Sequence, residues 1–492
     1  MIMSLLALFF SCSDATKDTS EPAYTFPDVS SMPELRGPGA PQVDFSQEEL
    51  FVNCAPLYGG DEDFLHHNLV VSYRGHMLMP WAPEWGQGGM SLFDMSEPCS
   101  PKKVGEGFHE RMRESHAIGT QYLSETEQYA VATGILGIQF WDLQNLEVPE
   151  MINYMQIEGV FYPDSYTRVV LSVFWQYPYV YVAASDNGFF VVNAEDPYNP
   201  VLETQYQFDP PLRAASIYAL GNQLFVGAAE GSESEILDIS DPVNPQPIGG
   251  GRYFVLDEEG TPRDAYHSGM VGNWGFFARK ESGGGIMMMD ISDPSNPTYA
   301  ASYKTEGGNG GYAYYHQGYG FVGDSHWAAV LDLRDLNNIQ EVGRGYLPGD
   351  LDTITPFGNI AVLSVDDEPE EGIASVVMPW KKEADREAPN LIRTVPVDGA
   401  QGVALTSRIG LAFDEFIEPT SVFAGSIRLY DSAGNAVDGW GSGQETIANF
   451  TPKEDLLPNE TYTVEVMQDG IQDISGNKFA STHSFQFTTV GN

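Results

Sequence analysis

The sequence predicts an all-β chain: a seven-bladed β-propeller followed by a β-sandwich. Three observations predict it. Glycine and proline are abundant, 51 and 32 of 492 residues, as in folds of short strands joined by tight turns. The apolar runs alternate with a period of two, and no long stretch has the 3.6-residue period of an amphipathic helix. A short motif also returns through the middle of the chain every 42–52 residues, the length of one four-stranded blade.

The clearest copies of the motif are Ile239-Ser240-Asp241-Pro242-Val243-Asn244-Pro245 and Ile291-Ser292-Asp293-Pro294-Ser295-Asn296-Pro297. Weaker copies are 89–101 (GMSLFDMSEPCSP), 137–149 (GIQFWDLQNLEVP), 188–200 (GFFVVNAEDPYNP) and 329–339 (AVLDLRDLNNI). The marker is Asp94, Asp142, Asn193, Asp238, Asp290 and Asp332 in turn. An alternating run precedes the marker, for example YVYVA at 179–183 or WGFFA at 274–278, and reads as a strand. A small-residue turn such as SDNG at 185–188 joins it to the marker strand. Proline fixes φ and lacks a ladder donor, and an Asp or Asn side chain bonds nearby backbone, so the motif stops a strand and turns the chain. Asp238, Asp290, Pro242 and Pro294 are therefore expected to be structural. Segments 352–364 and 372–378 supply one further strand set without the marker, the seventh.

This pattern resembles the bacterial LVIVP-repeat family over about residues 60–380. The resemblance implies a propeller over residues 56–380. After a charged linker at 381–389, the repeat gives way to IGLAFDE at 409–415, IRLYD at 427–431, LPNETYT at 457–463, DISGN at 473–477 and FQFTT at 485–489. This segment, 388–490, is similar to the bacterial Ig-like domain typified by surface-layer protein SbsA, which implies an Ig-like β-sandwich acting as a spacer or adhesion module. Asp473 and Asn477 read as a turn-forming pair in preference to calcium ligands.

At the N-terminus, the apolar run 1–10 and Ser11-Cys12 look like a bacterial lipoprotein signal, which implies lipid on Cys12. An ordinary secretory signal is the alternative, and would make the protein secreted. Residues 13–55, rich in acids and proline, read as a disordered tether. In an oxidising compartment Cys54 and Cys99 form an even pair and are expected to be bridged, two buried thiols being the alternative.

With 24 Lys+Arg against 69 Asp+Glu, a net charge of −45 argues against nucleic acid or anionic lipid as a partner. There is no G-x-S-x-G elbow, H-E-x-x-H pair, P-loop or dinucleotide fingerprint. His66, His67, His116, His267 and His316 fall where innermost strands should begin. With Asp264, Asp352 and Arg213 they form a candidate funnel site for a metal or a polar ligand. The aromatic loops 79–85 and 311–316 are read mainly as packing, and the acidic clusters 230–235 and 366–371 as solvated loops. The expected function is that of a cell-surface or periplasmic lipoprotein, a non-catalytic platform for adhesion or envelope assembly. Its partner would be a protein or glycan of the envelope, membrane contact would run only through the lipid, and no cofactor is called for beyond a divalent cation. The alternative is a funnel enzyme, a metal-assisted hydrolase or lyase using the His/Asp set.

Overall fold

The computed structural model describes residues 23–60, 69–83, 86–160, 169–280, 283–306, 308–365 and 372–491. Among them regular structure is almost wholly strand, and no helix is long and apolar enough to cross a membrane. The marker residues decide where strands stop. Six strands end on their marker: Gly88–Asp94, Gly137–Asp142, Phe189–Asn193, Glu233–Asp238, Ile286–Asp290 and Ala328–Asp332. In all six the marker side chain accepts the backbone N–H two residues on, at 2.7–3.1 Å. This Asx turn diverts the chain just before the motif's prolines, where present, would deny the ladder a donor.

Each marked strand is third in a four-stranded antiparallel meander, and seven four-stranded sheets lie before residue 380 among the described residues. Their first strands are Val71–Tyr73, Ile118–Ser124, Ser172–Gln176, Ala214–Leu220, Ala265–Val271, Ala313–His316 and Thr353–Phe357. From the second sheet to the seventh, these strands pack beside one another in sequence order and surround the central channel of a propeller. The seventh sheet takes its outermost strand from the other end of the repeat region: Ala55–Leu57 pairs antiparallel with Ser375–Pro379. Cys54, just before that strand, is disulfide-bonded to Cys99, in the turn after the first sheet's third strand, with Cα atoms 5.0 Å apart. The seam between first and last sheets is thus held by strand pairing, by a covalent bond and by one apolar cluster that includes Leu57, Met77, Trp81, Val362 and Val377.

The N-terminal segment departs from expectation. Residues 23–54 are a strap laid along both domains, not a disordered tether. Ala40 and Phe45 are buried, and Phe26 packs edge-on to Tyr430 of the sandwich. Backbone bonds run from Gly39 to the Gly75 carbonyl, from Ala40 to Ile474, from Phe45 to Lys382 and from Phe51 to Pro379. The buried Arg74 guanidinium clamps the strap through the Glu34 carbonyl at 2.6 Å. Extended, proline-rich chain exposes donors and acceptors that neighbouring loops can use, so a few isolated apolar residues are enough to dock it. Residues 13–22 and Cys12 lie outside the described residues.

Beyond Trp380 the chain forms two four-stranded sheets. One orders strands Leu391–Val395, Ile409–Phe413, Ile447–Pro452 and Gly439–Gln444; the other orders Ala400–Val403, His483–Thr489, Thr461–Val466 and Ile427–Tyr430. Between them lies a core including Leu411, Phe413, Phe450, Tyr462, Val464 and Phe487. The sandwich is not hung on a free linker. Val395, Ala412 and Ile447 belong to the same buried cluster as Leu220, Leu224 and Met270 of the propeller, and Phe416 and Ile474 join the cluster of the sixth and seventh sheets. Apolar continuity of this kind fixes two domains in one orientation. At the closest approach a Cβ on Gly410 would stand 2.2 Å from the Gly221 nitrogen, so this contact requires glycine.

Candidate functional site

The hairpin joining Gly439–Gln444 to Ile447–Pro452 carries the sandwich into one end of the channel. Its side chains satisfy the ends of the propeller's inner strands. Gln444 donates to the Val173 carbonyl at 3.0 Å and Thr446 to the Met270 carbonyl at 3.0 Å. Asn449 accepts from Gly221 N–H at 2.8 Å and from Gln176 Nε2 at 3.0 Å, and donates to the Ala219 carbonyl at 3.0 Å. The buried Glu418 carboxylate takes up Ser72 Oγ at 2.5 Å and Arg74 N–H at 2.8 Å on the first sheet. What remains of the channel here is a narrow cavity of about 30 Å³ lined by Val70, Ile118, Tyr314, Phe416 and Glu445. This end of the propeller is therefore capped.

Glu445, at the hairpin tip, faces that cavity with the Tyr218 hydroxyl 3.4 Å from Oε1, and burial pushes its carboxyl up to about 7 from 4.5. A raised carboxyl makes the folded chain bind more protons than the unfolded one between those values, so this group's stability contribution is present below pH 4.5 and lost as pH rises through 7. Glu445→Gln is expected to gain about 3 kcal/mol at pH 8 and almost nothing at pH 4. Urea midpoints at the two pH values check this, and a gain equal at both would contradict it.

At the opposite end of the channel stand some of the residues singled out from the sequence. His116 precedes its inner strand, and its Nδ1 lies 2.9 Å from the Tyr312 hydroxyl while Nε2 faces Glu114 Oε1 at 3.3 Å. His267 stacks on Tyr312 with ring centroids 3.9 Å apart, and on His116 at 6.1 Å. Burial, then the neighbouring His116, lowers the His267 pKa well below the ordinary value. Asp352 is 6% exposed, and burial followed by Asp350 raises its carboxyl to about 7. His116, His267 and Tyr312 are each 5% exposed or less. These rings plug the channel mouth by stacking. Among the described residues no three His, Cys, Asp or Glu ligand atoms converge there.

Three of the expected funnel residues are elsewhere. His316 ends its strand instead of beginning it. Ala313–His316 starts at Ala313, so His316 lies about 13 Å of extended chain beyond Tyr312, at the capped end beside Trp380 and Phe416. Arg213 is engaged by Asp186 at 3.0 Å and Glu230 at 2.8 Å, so its charge is already met on the rim. Asp264 is exposed, with its carbonyl accepting from Lys280 N–H. His66, His67 and the acidic loop 366–371 lie outside the described residues. The cluster 230–235 is not simply solvated, because Arg252 binds Glu233 and lies 3.6 Å from the buried Glu235. Trp81, from the first aromatic loop, is buried and donates to Ser91 Oγ at 2.9 Å; Trp85 lies outside the described residues.

No motif marks a further concavity, a cleft of about 390 Å³ between the propeller and the sandwich. Tyr179, Glu195 and Asp241 line the propeller side, and Arg408, Trp440 and Lys453 the sandwich side. Arg408 sits over the Tyr179 ring at 5.6 Å and Lys453 over Trp440 at 5.4 Å, cation–π pairs that orient both rings. The lining mixes the rings of Tyr179 and Trp440 with carboxylates, the hydroxyls of Thr406 and Ser407 and the cations of Arg408 and Lys453, and Ser407 Oγ accepts from Asn222 Nδ2 at 2.6 Å; such a surface suits the holding of a polar chain. The two sides of the cleft come from loops more than 160 positions apart, so periodicity along the sequence carries no trace of it.

Family comparison agrees with this architecture. Residues 385–489 match the bacterial Ig-like domain family, and 178–207 and 272–305 match the LVIVD repeat. No curated protein matches the chain. Among solved structures, the Cps50 β-propeller domain of Myceliophteria thermophila is 12% identical, covering 64% of this chain and 97% of its own at a TM-score of 0.46. A putative 6-phosphogluconolactonase from Bacteroides fragilis is 9% identical, covering 61% and 92% at 0.46. At such identities and scores neither says anything about activity. The chain carries LVIVD repeats in a β-propeller and ends in a bacterial Ig-like domain.

Proposed function

We propose that this protein is a cell-envelope lipoprotein, anchored through Cys12, that binds a protein or glycan chain of the envelope in the cleft between its two domains. Propeller repeats joined to an Ig-like domain point to a non-catalytic binding or structural protein, and the cleft chemistry agrees. The observation that carries the reading is the 390 Å³ concavity flanked by Tyr179 and Trp440 with donors and acceptors of both signs, built across a fixed domain junction. A preformed site of that size on rigid elements loses little entropy on binding. The funnel enzyme has less support, since the channel-mouth imidazoles are stacked in a plug and converge on no common point.

Thermal-shift titration of the chain from residue 13 onward with peptidoglycan fragments and envelope oligosaccharides tests this reading. A ligand-dependent rise in Tm is expected; Trp440→Ala, which also removes packing on Tyr177 and so lowers the unliganded Tm, should weaken binding by about tenfold when the two proteins are compared at a temperature where both are folded. Binding that survives Trp440→Ala undiminished would move the site out of the cleft.

A further inference from the structure

The capped end of the channel holds a cluster that the binding function does not use. His316 from the propeller, Asp385 from the interdomain segment and Glu415 from the sandwich are 0%, 3% and 1% exposed, and one ligand atom from each lies within 4.8 Å of the others. Both ring nitrogens of His316 lack a hydrogen-bond partner, as does Asp385 Oδ2. Buried imidazoles and carboxylates in native folds are almost always satisfied, so unpartnered polar atoms on two of three residues whose ligand atoms converge within 4.8 Å point to a group not made of protein.

The surroundings have the form of a metal site's outer support. Gln317 Nε2 donates to Asp385 Oδ1 at 2.7 Å and to Glu415 Oε2 at 3.1 Å, which ties the two carboxylates together and orients them. Lys381 donates to Gln317 Oε1 at 3.1 Å and so holds the amide in that orientation. Trp380 and Phe416 wall the imidazole and exclude water. Asp473 lies nearby, its Oδ1 accepting from Ser475 and Asn477 N–H and its Oδ2 from Asn477 Nδ2 in a turn.

We infer that His316, Asp385 and Glu415 form a binding site for one divalent transition-metal ion, zinc in the first instance, which pins the Ig-like domain to the propeller. One imidazole and two carboxylates suit zinc or manganese, whereas calcium prefers an all-oxygen shell. A tetrahedron with zinc–ligand bonds of 2.0–2.2 Å has edges of about 3.4 Å, so side-chain shifts of about 1 Å close the set. The three ligands come from the propeller, the connecting segment and the sandwich, so the ion would act as a clasp across the junction.

The test uses the full mature chain, treated with EDTA and dialysed, then titrated with zinc chloride. One equivalent is expected to bind with a sub-micromolar Kd and to raise Tm, and cobalt in its place should give the intense visible bands of a four-coordinate site. His316→Ala should weaken zinc binding by at least about 100-fold. If that variant does not fold, Asp385→Asn, which keeps the shape and removes a ligand charge, should show the same loss. Failure of zinc, manganese and cobalt to bind the stripped protein would overturn the inference. So would zinc binding of parental strength in a folded His316→Ala or Asp385→Asn variant.

Discussion

Replacing Cys54 with serine is expected to cost about 4 kcal/mol of stability, the loop-closure value for a bridge spanning a sequence separation of 45. Where the bridge sits decides which part of the fold loosens first. Ala55–Leu57 is only three residues long, yet it is the outermost strand of the seventh sheet and closes the ring on itself. A strand that short, held by three Cα register pairs, depends on Cys54 to keep it in place against Val377. Urea unfolding of parent and Cys54→Ser should differ by that amount, and hydrogen exchange should accelerate first at Ala55–Leu57 and its partner Ser375–Pro379. Equal midpoints under oxidising and reducing conditions would show that strand pairing alone holds the ring.

The second large effect is expected at Asn449, which is fully buried and makes three hydrogen bonds into the propeller. Alanine there leaves the Gly221 N–H and Gln176 Nε2 without their acceptor and removes the donor to the Ala219 carbonyl. Stranded buried polar groups cost about 1–3 kcal/mol each, so Asn449→Ala should destabilise the docked pair by about 4 kcal/mol. The loss should fall on the junction and leave the separate cores intact, since Asn449 contributes no apolar packing to either. Unchanged stability in this variant would mean that the domains are held together without this contact.

The repeats are legible in the sequence and the docking surface is not, and the reason is the range of the interactions. Each marker's Asx turn is completed within two residues, so Asp238 or Asp290 could be assigned a strand end from the local text alone. Hairpin turns and alternating runs are equally local, and the family resemblances followed from them. The docking surface has no such signature. Glu418 meets Arg74 across 344 positions and Gln444 meets Val173 across 271, and nothing near either residue distinguishes it from an ordinary surface polar group. His316 shows how a small error of phase becomes a large one of place. Reading it as a strand start assigned it to the channel mouth, while the true start at Ala313 carries it to the capped end, where it faces carboxylates and not the other histidines. The docking of residues 23–54 is hard to see for a related reason: Ala40 and Phe45 are too sparse to make a pattern, yet each is buried in a cluster built by the folded domains.

Scanning calorimetry of the intact chain shows whether propeller and Ig-like domain form one body, their junction capping the channel and shaping the cleft. A shared apolar cluster and a buried polar interface predict a single cooperative endotherm for the parent, which splits in two in Asn449→Ala. Two resolved endotherms in the parent itself, with the Ig-like domain melting independently of the propeller, would contradict it.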